Sequence, residues 1–261
     1  MAERNNNGRK ILWYEMTLGE FEEAISEGAS VILPVGSMEQ HGYHLPVSVD
    51  INDSYHMALE AARRAEDLWI IVAPPVWSGF SPPHVDFPGT ISLRLNTFIN
   101  MFMEICTSIY RQGFRKILIL NGHGSTPLAP ICEQLAEDKV SVLAVTWWDL
   151  IADELRAIGE SPLGGMSHAC EAETSLQMVL QPHALRLELM ESKVIPPLIS
   201  FAKHDLRDMG PIVYGFNMKR QSATGVLGDP TVASAEKGQA ILDAVADKLV
   251  LALREYDRVD W

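Results

Sequence analysis

Apolar residues fall into two kinds of segment along this chain. Residues 30–35 (SVILPV), 69–73, 116–120 (KILIL) and 140–146 are short, nearly unbroken apolar runs, the pattern of strands buried on both faces. Between them, residues 17–28, 54–65, 96–112, 127–137, 171–180 and 234–256 carry apolar positions at helical spacing. Thr17 and Glu20 have the spacing of a capping box, and Gly28 and Gly113 stand where helices should stop. Asp53 is expected to cap the helix at 54–65. In the last helix Ile241, Val245, Leu249 and Leu253 recur every four residues. Residues 74–88 are a loop rich in Pro, Gly and Ser, and residues 193–229 have no clear period. Strands alternating with longer helices predict a mostly parallel sheet with helices on both faces, in an α/β chain read as a single domain over 1–261. Ligands of such sheets bind in loops at the carboxyl ends of the strands.

Composition narrows the function classes. Lys and Arg total 21 against 34 Asp and Glu, a formal net charge of −13. That field repels polyphosphates and argues against a nucleic-acid partner. No apolar run approaches the ~20 residues of a spanning helix, which argues against a membrane partner, and residues 1–10 are polar with no signal-peptide core after them. Three cysteines, Cys106, Cys132 and Cys170, have no metal-like spacing and read as reduced thiols of a cytoplasmic protein.

Three stretches carry candidate chemistry. Gly36-Ser37-Met38-Glu39-Gln40-His41-Gly42 begins where the first strand should end. In extended chain Glu39 and His41 point to one side, and Asp50 lies far enough on to return from a loop. A polar turn with a solvated glutamate would look the same. Asn121-Gly122-His123-Gly124-Ser125 follows the KILIL strand, with glycines that leave His123 uncovered. It could instead cradle phosphate, but it lacks the lysine and glycine spacing of a P-loop. In Ser167-His168-Ala169-Cys170-Glu171-Ala172-Glu173-Thr174-Ser175, His168 precedes a helix whose first turn bears Glu171 and Glu173. Acids there suit the helix dipole. Side chains two apart on a helix diverge by about 200°, so both glutamates cannot face one site. Glu39, His41, Asp50, His123 and Glu173 offer two imidazoles and three carboxylates, a set suited to Zn²⁺, Mn²⁺ or Fe²⁺ and large enough for a two-metal hydrolytic centre.

The run LPVGSMEQHGYHLPVSVD at residues 33–50 resembles the signature of the creatininase family. FPGT (87–90), NGHG (121–124), TWWDL (146–150), HACEAETS (168–175) and GVLGDPTVASAEKG (225–238) follow in the family's order, so the resemblance spans nearly the whole chain. It implies a three-layer α/β/α fold and a dinuclear metal site. By this resemblance Glu39 and His123 hold one metal, His41 the other, and Asp50 bridges. Glu173 completes the second metal, and His168 is the catalytic histidine. Trp148 matches a tryptophan that closes over substrate, and Ser81 is assigned with it to substrate binding. Creatininase proper has Tyr and Glu after the NGH histidine, that Glu being a metal ligand; Gly124 and Ser125 stand there in this chain. Its tryptophan before the catalytic histidine is replaced around Gly164 and Gly165. Both changes argue against creatinine as the substrate.

The resulting expectation is an amidohydrolase with two divalent ions per chain. It cleaves an amide C–N bond in a small cyclic amide (a lactam, imide or hydantoin-like ring), with His168 as acid and base. A formamide or short-peptide hydrolase is the alternative within the family. A non-catalytic metal- or nucleotide-sugar-binding protein is the alternative outside it. The resemblance also implies a homo-oligomer, a hexamer by preference, and the aromatic, proline-rich loop at 74–88 suits a subunit interface.

Overall fold

The structure, a computed structural model, describes residues 3–259. Strands β1 (Ser30–Val35), β2 (Ile70–Val72), β3 (Lys116–Asn121) and β4 (Leu143–Thr146) form a parallel sheet in the order β2-β1-β3-β4. Side chains alternate across it. Ile32, Ile70, Val72, Leu118 and Leu120 point to one face. There they meet helices α2 (Val49–Arg64), α7 (Glu171–Leu180) and α9 (Ala235–Tyr256). Val31, Leu33, Ile71, Ile117 and Ile119 point to the other face, toward α1 (Leu18–Ser26), α3 (Leu95–Gln112) and α4 (Leu128–Glu137). The fold is therefore α/β with three layers. The four-residue stripe of α9 is buried throughout, Ile241, Val245, Leu249 and Leu253 each being at most 1% exposed. Each such side chain contributes roughly 1.5–3 kcal/mol of burial.

Several elements follow the hydrophobic pattern closely. β1 has the expected bounds, and α1 carries the Thr17–Glu20 capping box, with Glu20 Oε2 accepting from the Thr17 N–H at 2.7 Å. Other expectations need correction. The strand expected over 140–146 is confined to Leu143–Thr146, because Val140 turns into the core below α4. The helix expected at 54–65 starts at Val49. Asp53 is not its cap: it lies inside α2, buried, and accepts a 2.7 Å hydrogen bond from Gln177 Nε2. Asp50 does not return from a loop but sits in the first turn of that helix. Two aspartates and two β-branched residues made 49–53 look like a turn. The fold overrides that local preference by burying Val49 against Leu45, Ala169 and Val226.

Glycine makes this start possible. A Cβ on Gly36 would lie 2.5 Å from the Ile51 nitrogen, and one on Gly122 would lie 2.4 Å from the Asp50 carbonyl oxygen. Only bare backbone at the ends of β1 and β3 lets the first turn of α2 approach so closely. Helix α2 leaves β1 on one face and α4 leaves β3 on the other. The carboxyl ends of β1 and β3 thus flank the switch point where open α/β sheets bind ligands.

Four short elements had no signal in the pattern: α5 (Trp147–Leu150), α6 (Ala152–Ile158) and the antiparallel strands β5 (Met166–His168) and β6 (Leu227–Gly228). The β5–β6 pair holds His168 beside the β1 end. Residues 193–217 are mostly irregular, and α8 (Met218–Gln221) follows them. Among the described residues no helix is long and apolar enough to cross a membrane. All three cysteines are free thiols.

Candidate metal centre

After β1 the chain stays extended. Ile91 donates its N–H to the Met38 carbonyl at 2.8 Å, and Glu39 donates its own to Val47 at 3.0 Å. This fixes Glu39 and His41 over the end of the sheet, both fully or almost fully buried. His123 follows β3 directly, its N–H bonded to the Asn121 side-chain oxygen at 3.1 Å. Asp50 arrives from α2, and Glu173 from the first turn of α7.

Asp50 lies between the two imidazoles. Its Oδ1 is 3.1 Å from His41 Nε2 and its Oδ2 is 3.0 Å from His123 Nδ1. Glu173 Oε1 faces the same His41 nitrogen at 3.5 Å, and Glu39 Oε2 faces the same His123 nitrogen at 3.2 Å. Two clusters result, Glu39–Asp50–His123 and His41–Asp50–Glu173, each with ligand atoms within 4.8 Å of one another and sharing Asp50. A third grouping, Glu39–His41–His168, meets the same distance.

The rings are locked by their other nitrogens. His41 Nδ1 donates to the Glu39 carbonyl at 3.1 Å, and His123 Nε2 donates to the Phe80 carbonyl at 2.9 Å. Each turns its second nitrogen toward carboxylates, where a cation can take the place of a proton. Electrostatics point the same way. Burial opposes charge on His41, but Asp50 and then Glu173 push its pKa well above the usual value. Burial opposes it on His123 too, but Glu39 and Asp50 raise that ring likewise. Burial works against ionised Glu39 and Glu173; their histidine partners outweigh it, holding Glu39 far down and Glu173 at about 2. Three buried carboxylates thus draw positive charge to two points. Glu39 Oε2 and His41 Nε2 are buried with no hydrogen-bond partner, although opposing groups stand near. Buried carboxylate and imidazole donors grouped this tightly fit a divalent cation at each cluster.

His168 sits beside this group, its ring centroid 4.2 Å from that of His41. Its Nε2 donates to the Gln40 carbonyl at 2.7 Å, which leaves Nδ1 free, 3.8 Å from Glu39 Oε1. Burial and the neighbouring His41 lower its pKa, so the ring is neutral and Nδ1 can accept a proton. Sequence reasoning missed His84, which is buried 4.4 Å ring to ring from His168 with Nε2 3.4 Å from Glu39 Oε1. Gln40 Nε2 donates to His84 Nδ1 at 3.0 Å, so one glutamine orients both rings. The only sequence signal was a histidine three residues before FPGT.

A small cleft, about 100 Å³ in volume, opens over the centre. Glu39, Asp50, His123, His168 and Glu173 line it, together with Trp148, Met209, Phe216 and Met218. His41 lies behind its carboxylate partners. Ser81 is fully buried and outside the lining; its hydroxyl is bonded to Ser37 and stands 3.2 Å from His123 Nε2. Gly124 and Ser125 reach the lining, and Gly164 does not.

The creatininase family model, described as creatinine amidohydrolase, matches residues 14–253. The chain belongs to the creatininase family. It is 28% identical to a 3-dehydro-scyllo-inosose hydrolase of Thermotoga maritima, over 94% of this chain and 83% of that one. It is 27% identical to a creatinine amidohydrolase of Pseudomonas putida, over 92% and 95%. It is 32% identical to a mycofactocin precursor peptide peptidase of Mycobacterium tuberculosis, over 86% and 84%. A solved manganese creatininase superposes with a TM-score of 0.77 at 26% identity, over 95% of this chain and 99% of that one.

Proposed function

We propose that this chain hydrolyses the amide C–N bond of a small cyclic amide, a lactam, imide or hydantoin-like ring, with two divalent cations per chain. The observation that carries the reading is Asp50, whose two oxygens face the metal-ready nitrogens of His41 and His123. Glu39, Asp50 and His123 hold one cation, and His41, Asp50 and Glu173 the other. Zinc, manganese and iron suit these donors. Bound there, such cations acidify water and polarise a carbonyl.

The chain's own residues supply the rest. Trp148, Met209 and Phe216 exclude water around the ring and hold it over Asp50. His168 Nδ1 takes the proton released by the attacking water and passes it to the departing amide nitrogen, so the products are a carboxylate and an amine. Gln40 keeps that nitrogen free by accepting from Nε2. Ser81 supports His123 from behind rather than touching substrate.

A cleft of about 100 Å³ supports a small substrate, and support for a ring comes from two relatives named for cyclic compounds, creatinine and an inosose. An inosose ring holds no amide nitrogen, and a third relative is named for a peptide. The deciding experiment offers metal-loaded protein lactams, imides, hydantoins, formamides and short peptides, and follows the new carboxylate. Turnover of rings supports the proposal. Turnover of peptides or formamides alone replaces it with the other family reading, and turnover of nothing by metal-replete protein leaves a binding protein. We also assign the chain to a cytoplasmic homo-oligomer, which its free thiols and the exposed Trp77 of the 74–88 loop support.

A further inference from the structure

The cleft does not end at the candidate metal centre. Pro83, Ser125 and Phe216 line both it and a second, outer pocket, so the two are continuous. Their charge is opposite in kind. Three carboxylates and no lysine or arginine line the inner cleft. The outer pocket is lined by Arg220 and by no aspartate or glutamate, together with Tyr214, Phe216, Asn217 and Gln221. In a chain of net charge −13, a pocket mouth with this balance is a local reversal of the surrounding field.

Arg220 is on α8 and exposed. Its backbone N–H is bonded to Asn217, while its guanidinium has no hydrogen-bond or ion-pair partner among the described residues. Nearby charges are committed elsewhere. Asp86 accepts a 2.6 Å hydrogen bond from Asn217 Nδ2. Lys219 lies 4.2 Å over the Phe87 ring and donates to the Ala223 carbonyl at 3.1 Å. The guanidinium is therefore the cation the outer pocket offers to a ligand, and its planar fork matches a carboxylate.

We propose that the outer pocket is a subsite for a carboxylate at the far end of the substrate, held by Arg220, with Phe216 against the apolar arm that joins it to the scissile ring. This rests on the amide-hydrolase reading above and specifies its substrate as an acid-tailed amide. Arg220 is the fixed cation of the outer pocket, so it sets which end of the substrate lies outward.

The test compares hydantoin-5-propionate with 5-butylhydantoin, which share the ring and differ in the charge on the arm. Binding by calorimetry and turnover are both measured on metal-loaded wild type, Arg220→Gln, Arg220→Lys and Lys219→Gln. The expected result is about 5- to 10-fold tighter binding and lower KM for the propionate in wild type. That preference falls toward one in Arg220→Gln, returns in part in Arg220→Lys, and persists in Lys219→Gln. A preference for the propionate that is unchanged in Arg220→Gln, equal binding of the two probes, or no binding of the propionate overturns the subsite. The two readings separate cleanly. An Arg220-dependent binding preference without hydrolysis keeps the subsite and removes the hydrolase reading, whereas hydrolysis of both probes with equal KM does the reverse.

Discussion

Glu171 and Glu173 lie two residues apart on α7 and serve opposite sides of it. Glu171 accepts hydrogen bonds from the Glu160 and Ser161 N–H groups, each at 2.9 Å, and from Lys237 Nζ at 2.6 Å. Glu173 turns toward His41 at 3.5 Å, and its other oxygen accepts from the Cys170 N–H at 3.0 Å. One carboxylate ties α7 to α9 and a neighbouring loop; the other enters the acidic cluster. Glu171→Gln is expected to keep both metals and to lose ~1–2 kcal/mol of stability, because Lys237 then keeps only the exposed Glu160 as a carboxylate partner and the two loop N–H groups lose a charged acceptor. Glu173→Gln is expected to lose metal from the His41 side. Metal analysis beside a denaturant melt decides it, and the reverse pattern sinks the assignment.

The same pair has a pH signature. Burial raises the pKa of Glu171, but Lys237 and the Ser161 bonds outweigh it and the net shift is downward. A carboxyl depressed by folding contributes stability above its unfolded pKa, about 4.3, and loses it as pH falls through the lower folded value. The stability gap between wild type and Glu171→Gln should therefore be full near neutrality and should close below pH ~4. Chelated protein isolates this effect from the metal centre. A gap that stays constant down to pH ~3 contradicts it.

Asp50 touches both imidazoles, whereas Glu39 reaches only His123 among the two. Asp50→Ala should therefore lose both ions and Glu39→Ala mainly one, read as metal per chain by elemental analysis. Full occupancy in Asp50→Ala is incompatible with a bridging role.

His168→Ala separates proton transfer from metal binding. The ring is held by Gln40 rather than by a carboxylate, so its loss should leave the metal content near normal and lower kcat by ~10²–10⁴-fold. Loss of metal instead makes His168 a ligand through the Glu39–His41–His168 grouping.

How much of this was readable beforehand depended on the reach of the contact. β1, α1 and α9 follow from local signals: an apolar run, a capping box and a four-residue stripe. Glu39, His41 and His123 were visible because each sits within a few residues of a strand end. Asp50 was found as a residue but misplaced as a loop, since the helix that holds it is stabilised by Ala169 and Val226, more than a hundred positions away. Gln40 sits inside the first motif and His84 three residues before FPGT, but neither position says what its side chain touches. Their roles arise where the 74–88 loop crosses the β1 end, a meeting that hydrophobic period does not encode.

Gly122 offers a backbone test of the same geometry. Its missing Cβ leaves room for the Asp50 carbonyl, which a methyl group would meet at 2.4 Å. Gly122→Ala should cost ~1–3 kcal/mol and also weaken metal binding, because relief of the clash must move either Asp50 or the strand end that carries His123. Gly124, whose Cβ would meet nothing within 4 Å, is the control. Gly124→Ala with the larger loss of metal affinity would show that the α2 approach is not what positions the site.

The 74–88 loop divides its residues between two tasks. Pro83 and His84 line the cleft, and Phe87 is buried against Met218 and Leu227. Trp77 and Val85 remain 51% and 55% exposed. Trp77 lies in an apolar groove with Trp13, Ile91, Leu93 and Met101, whose lining shares no residue with the cleft over the candidate metal centre. Exposed tryptophan in such a groove favours burial against another copy of the chain. Light scattering at low protein concentration is expected to find an oligomer in wild type and smaller species in Trp77→Glu. Because His84 and Trp77 share one short loop, the variant that dissociates should also lose kcat while keeping its metals. A fully active wild-type monomer would remove both the assembly and its link to the site, and would leave the loop as a wall built by one chain alone.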